Sequence, residues 1–336
     1  MTDSDRTSQN PKSQNPKSQD SKSQTSTPRS STPQSSTPQS STPQTSKSQW
    51  DCIRENIGVW HGAFEQFSPA GELKKTTPSV LTLEETEPNK TLALRLKRTP
   101  ADEPEKLNEL TFNYPGPAPY TYFFESGAFS QGSSQWSAFG QFVTEFSLKV
   151  GDRRVRFVIA YESTPSYKSA IKYVTLICET QTGGTQFMPD TLSAQQLMGT
   201  WKGSGEVLEA VTGDFKTITS NQWQLEKGAL EKGAEEKLSL CCQADMNEVP
   251  YSLELTALEE KMQTVVDFAE RDGLAYRLML LPKGAYCLLP KEIQQGCAFR
   301  IEVGWVSEEN KRSRFVRYYD NRGVWTHSAL IGDARI

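Results

Sequence analysis

From Trp50 onward, apolar and polar side chains alternate in short runs. TLALRLKR at 91–98 sets Leu92, Leu94 and Leu96 on one side and Arg95 and Lys97 on the other. That period of two marks a half-buried strand. The runs YTYFFE from Tyr120, FVTEF from Phe142, VRFVIAYE from Val155 and IKYVTLICE from Ile171 are rich in aromatic and β-branched residues, as are TVVDFAE from Thr264, LAYRLMLL from Leu274 and AYCLL from Ala285. Such residues suit a pleated, half-buried surface. Turn signals separate the runs at Gly151-Asp152, Thr182-Gly183-Gly184, Asp272-Gly273 and Asn321-Arg322-Gly323. Long amphipathic helices are missing. The pattern predicts an all-β chain, each half giving about eight short antiparallel strands that close into an up-and-down barrel and so remove sheet edges.

A repeat runs through the ordered part. NIGVWHG at 56–62 and LMGTWKG at 197–203 both read apolar-Gly-x-Trp-x-Gly, 141 residues apart. SAQQ at 193–196, just before the second copy, has the Ser-x-x-Gln of a capping box. A second block, FVTEFSLKVGDRRVRFVIAYE from Phe142, matches FRIEVGWVSEENKRSRFVRYYD from Phe299. Glu145 pairs with Glu302, Arg156 with Arg314, Phe157 with Phe315 and Tyr161 with Tyr319. Two separated blocks in the same order predict a tandem duplication.

Ahead of the repeat, residues 2–49 hold no Ala, Val, Ile, Leu, Phe, Trp, Tyr or Cys. A segment with nothing apolar to bury cannot offset the entropy of ordering. NPKSQ occurs twice, then TPRSS, TPQSS, TPQSS and TPQTS follow in register, so a proline blocks helix and central strand every fifth residue. This Ser/Thr/Pro/Gln-rich tail is expected to be a disordered leash, with partner docking or phosphorylation at its Thr-Pro steps as the alternative. The expected division is therefore a tail at 1–49, a first barrel at 50–189 and a second barrel at 190–336.

Charge narrows the partners. The chain of 336 residues has a net charge of -4, and the tail holds six basic and three acidic side chains. The body is therefore the more acidic part, which argues against nucleic acid. No run reaches the roughly 18 apolar residues of a membrane span. The N-terminus lacks the apolar stretch of a secretory signal and the acid-poor, Arg-rich character of a transit peptide. A cytoplasmic protein is expected, with its six cysteines (Cys52, Cys178, Cys241, Cys242, Cys287 and Cys297) as reduced thiols.

Catalytic chemistry has little to build on. His61 and His327 are the two histidines of the chain, and no H-E-x-x-H, P-loop or G-x-G-x-x-G motif occurs. Glu145 and Glu302 lie in different halves, so they are expected to meet arginines on neighbouring strands rather than work as an acid–base pair. The loop NYPGPAPY at 113–120, three prolines between tyrosines, serves as a strand connection or as a rigid docking loop. No catalytic residue, metal or cofactor is assigned, and the chain is read as non-enzymatic.

Gly-x-Trp opening the first strand of a small antiparallel barrel resembles the calycin superfamily of lipocalins, fatty-acid-binding proteins and nitrobindins. The resemblance implies tandem lipocalin-like barrels, each plugged by its Trp against a basic side chain of the last strands. It points to Gly58, Trp60 and Gly62 with Arg154 or Arg156, and to Gly199, Trp201 and Gly203 with Arg312 or Arg314. WHGAFEQFSPAGE at 60–72 and RFVRYYDNRGVW at 314–325 are similar to a family of two-barrel calycin proteins from cyanobacteria and plants, mostly of unknown function, that includes the chloroplast ATP synthase biogenesis factor. This closer resemblance covers residues 50–336 and implies an assembly or chaperone-like binding protein, with subunits of the ATP synthase catalytic head as partners. The alternative is a small-molecule carrier of a lipophile, pigment or haem, since a small barrel holds either its own side chains or one ligand. GTWKGSGE also resembles the nitrobindin opening, which makes His327 a candidate haem ligand.

Overall fold

The computed structural model describes residues 47–99, 108–114, 120–182, 187, 191–228, 237–246, 249–257, 264–269 and 273–336. The first half opens with α1 (Gln49–Arg54) and continues with β1 (Gly58–Phe67), β2 (Leu73–Glu87), β3 (Thr91–Arg98), β4 (Asn108–Tyr114), β5 (Tyr122–Phe123), β6 (Phe129–Gly132), β7 (Phe142–Val150), β8 (Arg153–Ser163) and β9 (Ser169–Gln181). The second half has α2 (Ala194–Leu197), β10 (Gly199–Glu209), β11 (Phe215–Gly228), β12 (Lys237–Met246), β13 (Val249–Thr256), β14 (Val265–Asp267), β15 (Tyr276–Leu280), β16 (Ala285–Pro290), β17 (Glu292–Ile293), β18 (Phe299–Glu308), β19 (Lys311–Tyr319) and β20 (Trp325–Arg335).

The chain is all-β, with two curled antiparallel sheets. One runs β4-β3-β2-β1-β9-β8-β7-β6-β5, the other β13-β12-β11-β10-β20-β19-β18-β16-β15-β14. In each half the first long strand pairs with the last, β1 with β9 and β10 with β20, as a lipocalin-like meander requires. Closure is less complete than the alternation predicts. Among the described residues no ladder joins β4 to β5, and a single bridge, Ala257 to Phe268, spans β13 and β14. The sheets are half-barrels. Part of the reason lies in YTYFFE, which supplies only the two-residue β5. Tyr120 takes a positive φ of 64°, and the chain turns back at Phe124, whose carbonyl accepts from the Gly127 N–H at 2.8 Å.

The tail lies outside the described residues up to Lys47, and its expected end at 49 is too late. Ser48 caps α1, its side chain accepting from the Asp51 N–H while Asp51 reaches back to the Ser48 N–H. Gln49 makes a reciprocal pair of bonds to the Phe123 backbone at 2.8 and 2.9 Å. Residues 47–49 therefore belong to the first half.

The duplicated blocks pack against each other. Phe142 meets its repeat-equivalent Phe299 at 5.7 Å between ring centroids and Tyr319 at 5.1 Å. Phe146 and Phe124 both reach Phe315. Matched tyrosines then donate across the seam in opposite directions, Tyr161 to the Pro290 carbonyl at 2.7 Å and Tyr319 to the Ser133 carbonyl at 2.9 Å. The backbone repeats the exchange, with Ile171 N–H bonded to the Lys291 carbonyl and Trp325 N–H to the Ser134 carbonyl. Contacts between equivalent residues and reciprocal bonds are the mark of a two-fold interface, here built within one chain. β17 also crosses over to pair with β9. The largest apolar cluster consequently runs through both halves.

Candidate functional site

Each half carries the same buried cluster at one end. Trp60 and Trp201 are completely buried. Trp60 Nε1 donates to the Asn56 carbonyl and Trp201 Nε1 to the Leu197 carbonyl, both at 2.9 Å and both four residues back. The last residue of α2 in the second half, and the turn just after α1 in the first, thus satisfy an indole N–H that burial would otherwise strand. Arg154 lies over Trp60 at 4.3 Å and Arg312 over Trp201 at 4.5 Å, so the sequence's choice between two arginines resolves to the first of each pair. The second of each pair, Arg156 and Arg314, goes to carboxylates instead.

Those carboxylates include two that pattern reading missed, Glu179 and Asp333. Glu179 accepts from Arg154 at 2.9 Å and from Arg156 at 3.0 Å, and Arg156 also reaches Glu145 at 2.9 Å. Asp333 accepts from Arg312 at 2.8 Å and from Arg314 at 2.6 Å, and Arg314 also reaches Glu302 at 3.3 Å. Glu145 and Glu302 therefore do meet arginines on the neighbouring strand. A shared signal was present, since ICE ends at Glu179 and IGD ends at Asp333 in the last long strand of each half.

The glycines of the motif follow from this cluster. Gly58 and Gly199 take φ values of 136° and 102°, which favour a residue without Cβ. A Cβ on Gly62 would overlap the Cys178 carbonyl and stand 2.8 Å from Glu179 Cγ. One on Gly203 would overlap the Gly332 carbonyl and stand 2.7 Å from Asp333 Oδ1. The second glycine leaves room for the acid of the paired last strand.

Burial works to raise the pKa of Glu179, but Arg154 and Arg156 outweigh it and hold the carboxyl below its ordinary range. Burial likewise opposes Arg314 and Arg312 at Asp333, with the same outcome. Both groups are covered and ionised, so neither has a proton to give near neutrality. Burial also pushes the Cys52 thiol up to about 11 and those of Cys178, Cys242 and Cys287 upward. They are kept as thiols rather than thiolates.

The two histidines lie away from these clusters. His61 is exposed, its Nε2 3.0 Å from Thr182 Oγ1. His327 pairs with Glu209 on one side and Tyr318 on the other, and burial lowers its pKa against the pull of Glu209. Farther along β20, Val207, Ile218, Ala329 and Ile331 pack as a closed apolar cluster, with Tyr318 against it. Ala329 and Ile331 share the His327 face of β20, so the neighbouring part of that face is filled by the chain's own side chains. Of the loop at 113–120, residues 115–119 lie outside the described residues. Tyr120 at its end is 55% exposed.

Comparison with known proteins adds the following. Residues 46–184 match the N-terminal domain of a family described as a domain of unknown function, DUF3598. Residues 189–336 match the C-terminal domain of the biogenesis factor required for ATP synthase 1. The crystal structure of a DUF3598-family protein of unknown function from Nostoc punctiforme is similar to this chain with 27% identity and a TM-score of 0.74, covering 86% of this chain and 100% of its own. An S-type phycobiliprotein lyase from Guillardia theta shares 12% identity at a TM-score of 0.33, over 43% of this chain and 93% of its own. No curated protein matches the chain at a significant level. No helix among the described residues is long and apolar enough to cross a membrane.

Proposed function

We propose that this chain, which belongs to the two-barrel family pairing these two domains, is a non-enzymatic assembly factor that holds subunits of the ATP synthase catalytic head. The carrying observation is the match of residues 189–336 to a domain named for ATP synthase biogenesis. The physical design suits such a task. A two-fold seam ties the halves into one scaffold, and the buried acids and arginines serve that scaffold rather than a reaction. Aromatic side chains remain outside it. Phe139 and Tyr167 are 82% and 68% exposed and pack edge to face at 5.7 Å. Large rigid aromatics supply contact area at small entropic cost, which is why they concentrate at protein interfaces.

The test is direct. The intact chain is mixed with each purified subunit of the catalytic head and analysed by size-exclusion chromatography with chemical crosslinking. Co-elution with at least one subunit is expected, weakened by the double change Phe139→Ser and Tyr167→Ser. Separate elution from every subunit, with no crosslink formed, overturns the assignment.

A further inference from the structure

The repeat allows the two halves to be compared position by position. Inside the barrels, Gln66, Thr77 and Thr175 border a cavity of about 520 Å³ in the first half, and Val207, Ile218 and Ala329 pack together at the matching positions of the second. A sharper difference lies outside them, along the two flanks of the seam. Ile171 and Trp325 are equivalent there. Ile171 lies opposite Tyr161 and Trp325 opposite Tyr319, and each gives its N–H to a carbonyl of the other half. Pro69 and Ala210 are equivalent too, 141 residues apart as Trp60 and Trp201 are. The turns that carry them lean onto the opposite half, at Gly71 against Val265 and at Gly213 against Tyr122.

On one flank the chain fills its own seam. Trp325 is buried, its ring 5.9 Å from that of Tyr122 and 4.0 Å from the Arg317 guanidinium. On the other flank Ile171 stands in the place of Trp325, and a groove of about 590 Å³ remains between the halves. Its apolar lining among the described residues is small: Pro69, Ala170, Ile171, Gly273 and Ala275. The walls are held in place across the seam. Arg277 Nη1 donates to the Pro69 carbonyl at 2.8 Å while its Nε and Nη2 grip Asp267, and β17 pairs with β9. The other charged side chains of the lining are matched as well, Lys168 with Glu292 and Lys291 with Asp267. Such a groove calls for an apolar guest rather than an ion. A preformed hollow with a satisfied polar rim is the setting in which a partner's aromatic side chain contributes most to binding. Lys168 at the rim follows Tyr167 of the exposed aromatic pair, so the groove continues that surface.

We propose that this groove seats one large aromatic side chain from an exposed segment of a protein partner, in the place that Trp325 takes on the other flank. The inference deepens the reading of the chain as a protein-binding scaffold and rests on it for the existence of a partner.

The intact chain is panned against a phage-displayed library of random peptides, and enriched sequences are synthesised and titrated by fluorescence polarisation. The enriched peptides should share an aromatic residue, and its change to Ala should weaken binding roughly thirtyfold, the scale of a hot-spot truncation. Ile171→Trp supplies the side chain of the other flank from within and should weaken the unaltered peptides by a similar factor. If that variant fails to fold, Ala170→Leu combined with Ala275→Leu, at partly exposed positions, narrows the groove and should act in the same way. No enriched sequence, enriched peptides without an aromatic residue, or undiminished binding by a folded groove-filling variant overturns the inference. A chain that binds aromatic peptides but no catalytic-head subunit keeps the groove and loses the proposed partner. One that binds a subunit but no aromatic peptide keeps the partner and loses the groove.

Discussion

Trp60 and Trp201 stand at equivalent places, yet their surroundings differ in a way that shows how a duplicated fold diverges. Opposite Trp60 on β2 is Leu81, and opposite Trp201 on β11 is Trp223. On the last strand Trp60 faces Gln181, whereas Trp201 faces Arg335, whose guanidinium lies 4.7 Å from the indole. Arg312 meets Trp223 at 4.2 Å as well as Trp201. The second plug is therefore a stack of two indoles and two guanidiniums, while the first is a single pair. Trp201 also joins the apolar cluster that crosses the seam, and Trp60 sits in a local one with Cys52, Ile53, Leu81, Leu83 and Leu92. The shared skeleton of Gly, Trp, Arg and acid is what both halves need to close one end. The rest is free to become a filled core in one half and a cavity in the other.

The largest effects should come from the aromatic residues at the plugs and the seam. Trp201→Ala and Phe142→Ala should each cost about 3–5 kcal/mol, the usual loss for a large aromatic removed from a core. Both should lower one calorimetric transition shared by the whole scaffold. Trp60→Ala should cost a similar amount but show itself first as faster amide exchange confined to the first half. Two well-separated transitions in the unaltered chain would show that the seam does not couple the halves.

Breaking the charge clusters comes next. Glu179→Gln leaves Arg154 and Arg156 short of a buried partner, and Asp333→Asn does the same to Arg312 and Arg314. Each should cost about 3–5 kcal/mol at neutral pH. The acid limb gives the sign. Carboxyls with depressed folded-state pKa values add stability that is fully present above their unfolded values, near pH 4, and is lost as pH falls through the lower folded ones. Urea midpoints should therefore fall steeply below about pH 4 in the unaltered chain and less steeply in either variant. An unchanged acid limb in both would remove these groups from the account.

Smaller effects sharpen the match between the motifs. Gly62→Ala and Gly203→Ala push a methyl group into the backbone of the last strand and should each cost about 1–3 kcal/mol. A large loss for one and none for the other, read from thermal melts, would mean that the second glycine has different roles in the two halves. Ser48→Ala should cost about 1 kcal/mol through loss of the α1 cap. Deleting residues 1–46 should leave the melting temperature nearly unchanged, since that stretch, Met1 apart, holds no Ala, Val, Ile, Leu, Phe, Trp, Tyr or Cys to bury. Extending the deletion through Gln49 should lower it, because the cap and the bonds to Phe123 go with it.

Much of this was readable in one dimension. Alternation in TLALRLKR and its neighbours determined the strands, because side-chain direction along a strand depends only on parity. Gly-x-Trp-x-Gly and Arg-x-Arg-Phe, each written twice, determined the duplication and named the tryptophans and arginines of both clusters. What remained hidden depends on which strand lies beside which. Glu179 and Asp333 are distant in sequence from the arginines they bind, and only the pairing of β8 with β9 and of β19 with β20 brings them together. The seam was equally hidden. Tyr161 and Tyr319 read as a matched pair, but that each donates to the opposite half follows from a two-fold packing no local pattern encodes. Alternation also does not label its faces. Only the fold turns Gln66, Thr77 and Thr175 toward a cavity and sets Val207, Ile218 and Ala329 in the same places of the other half.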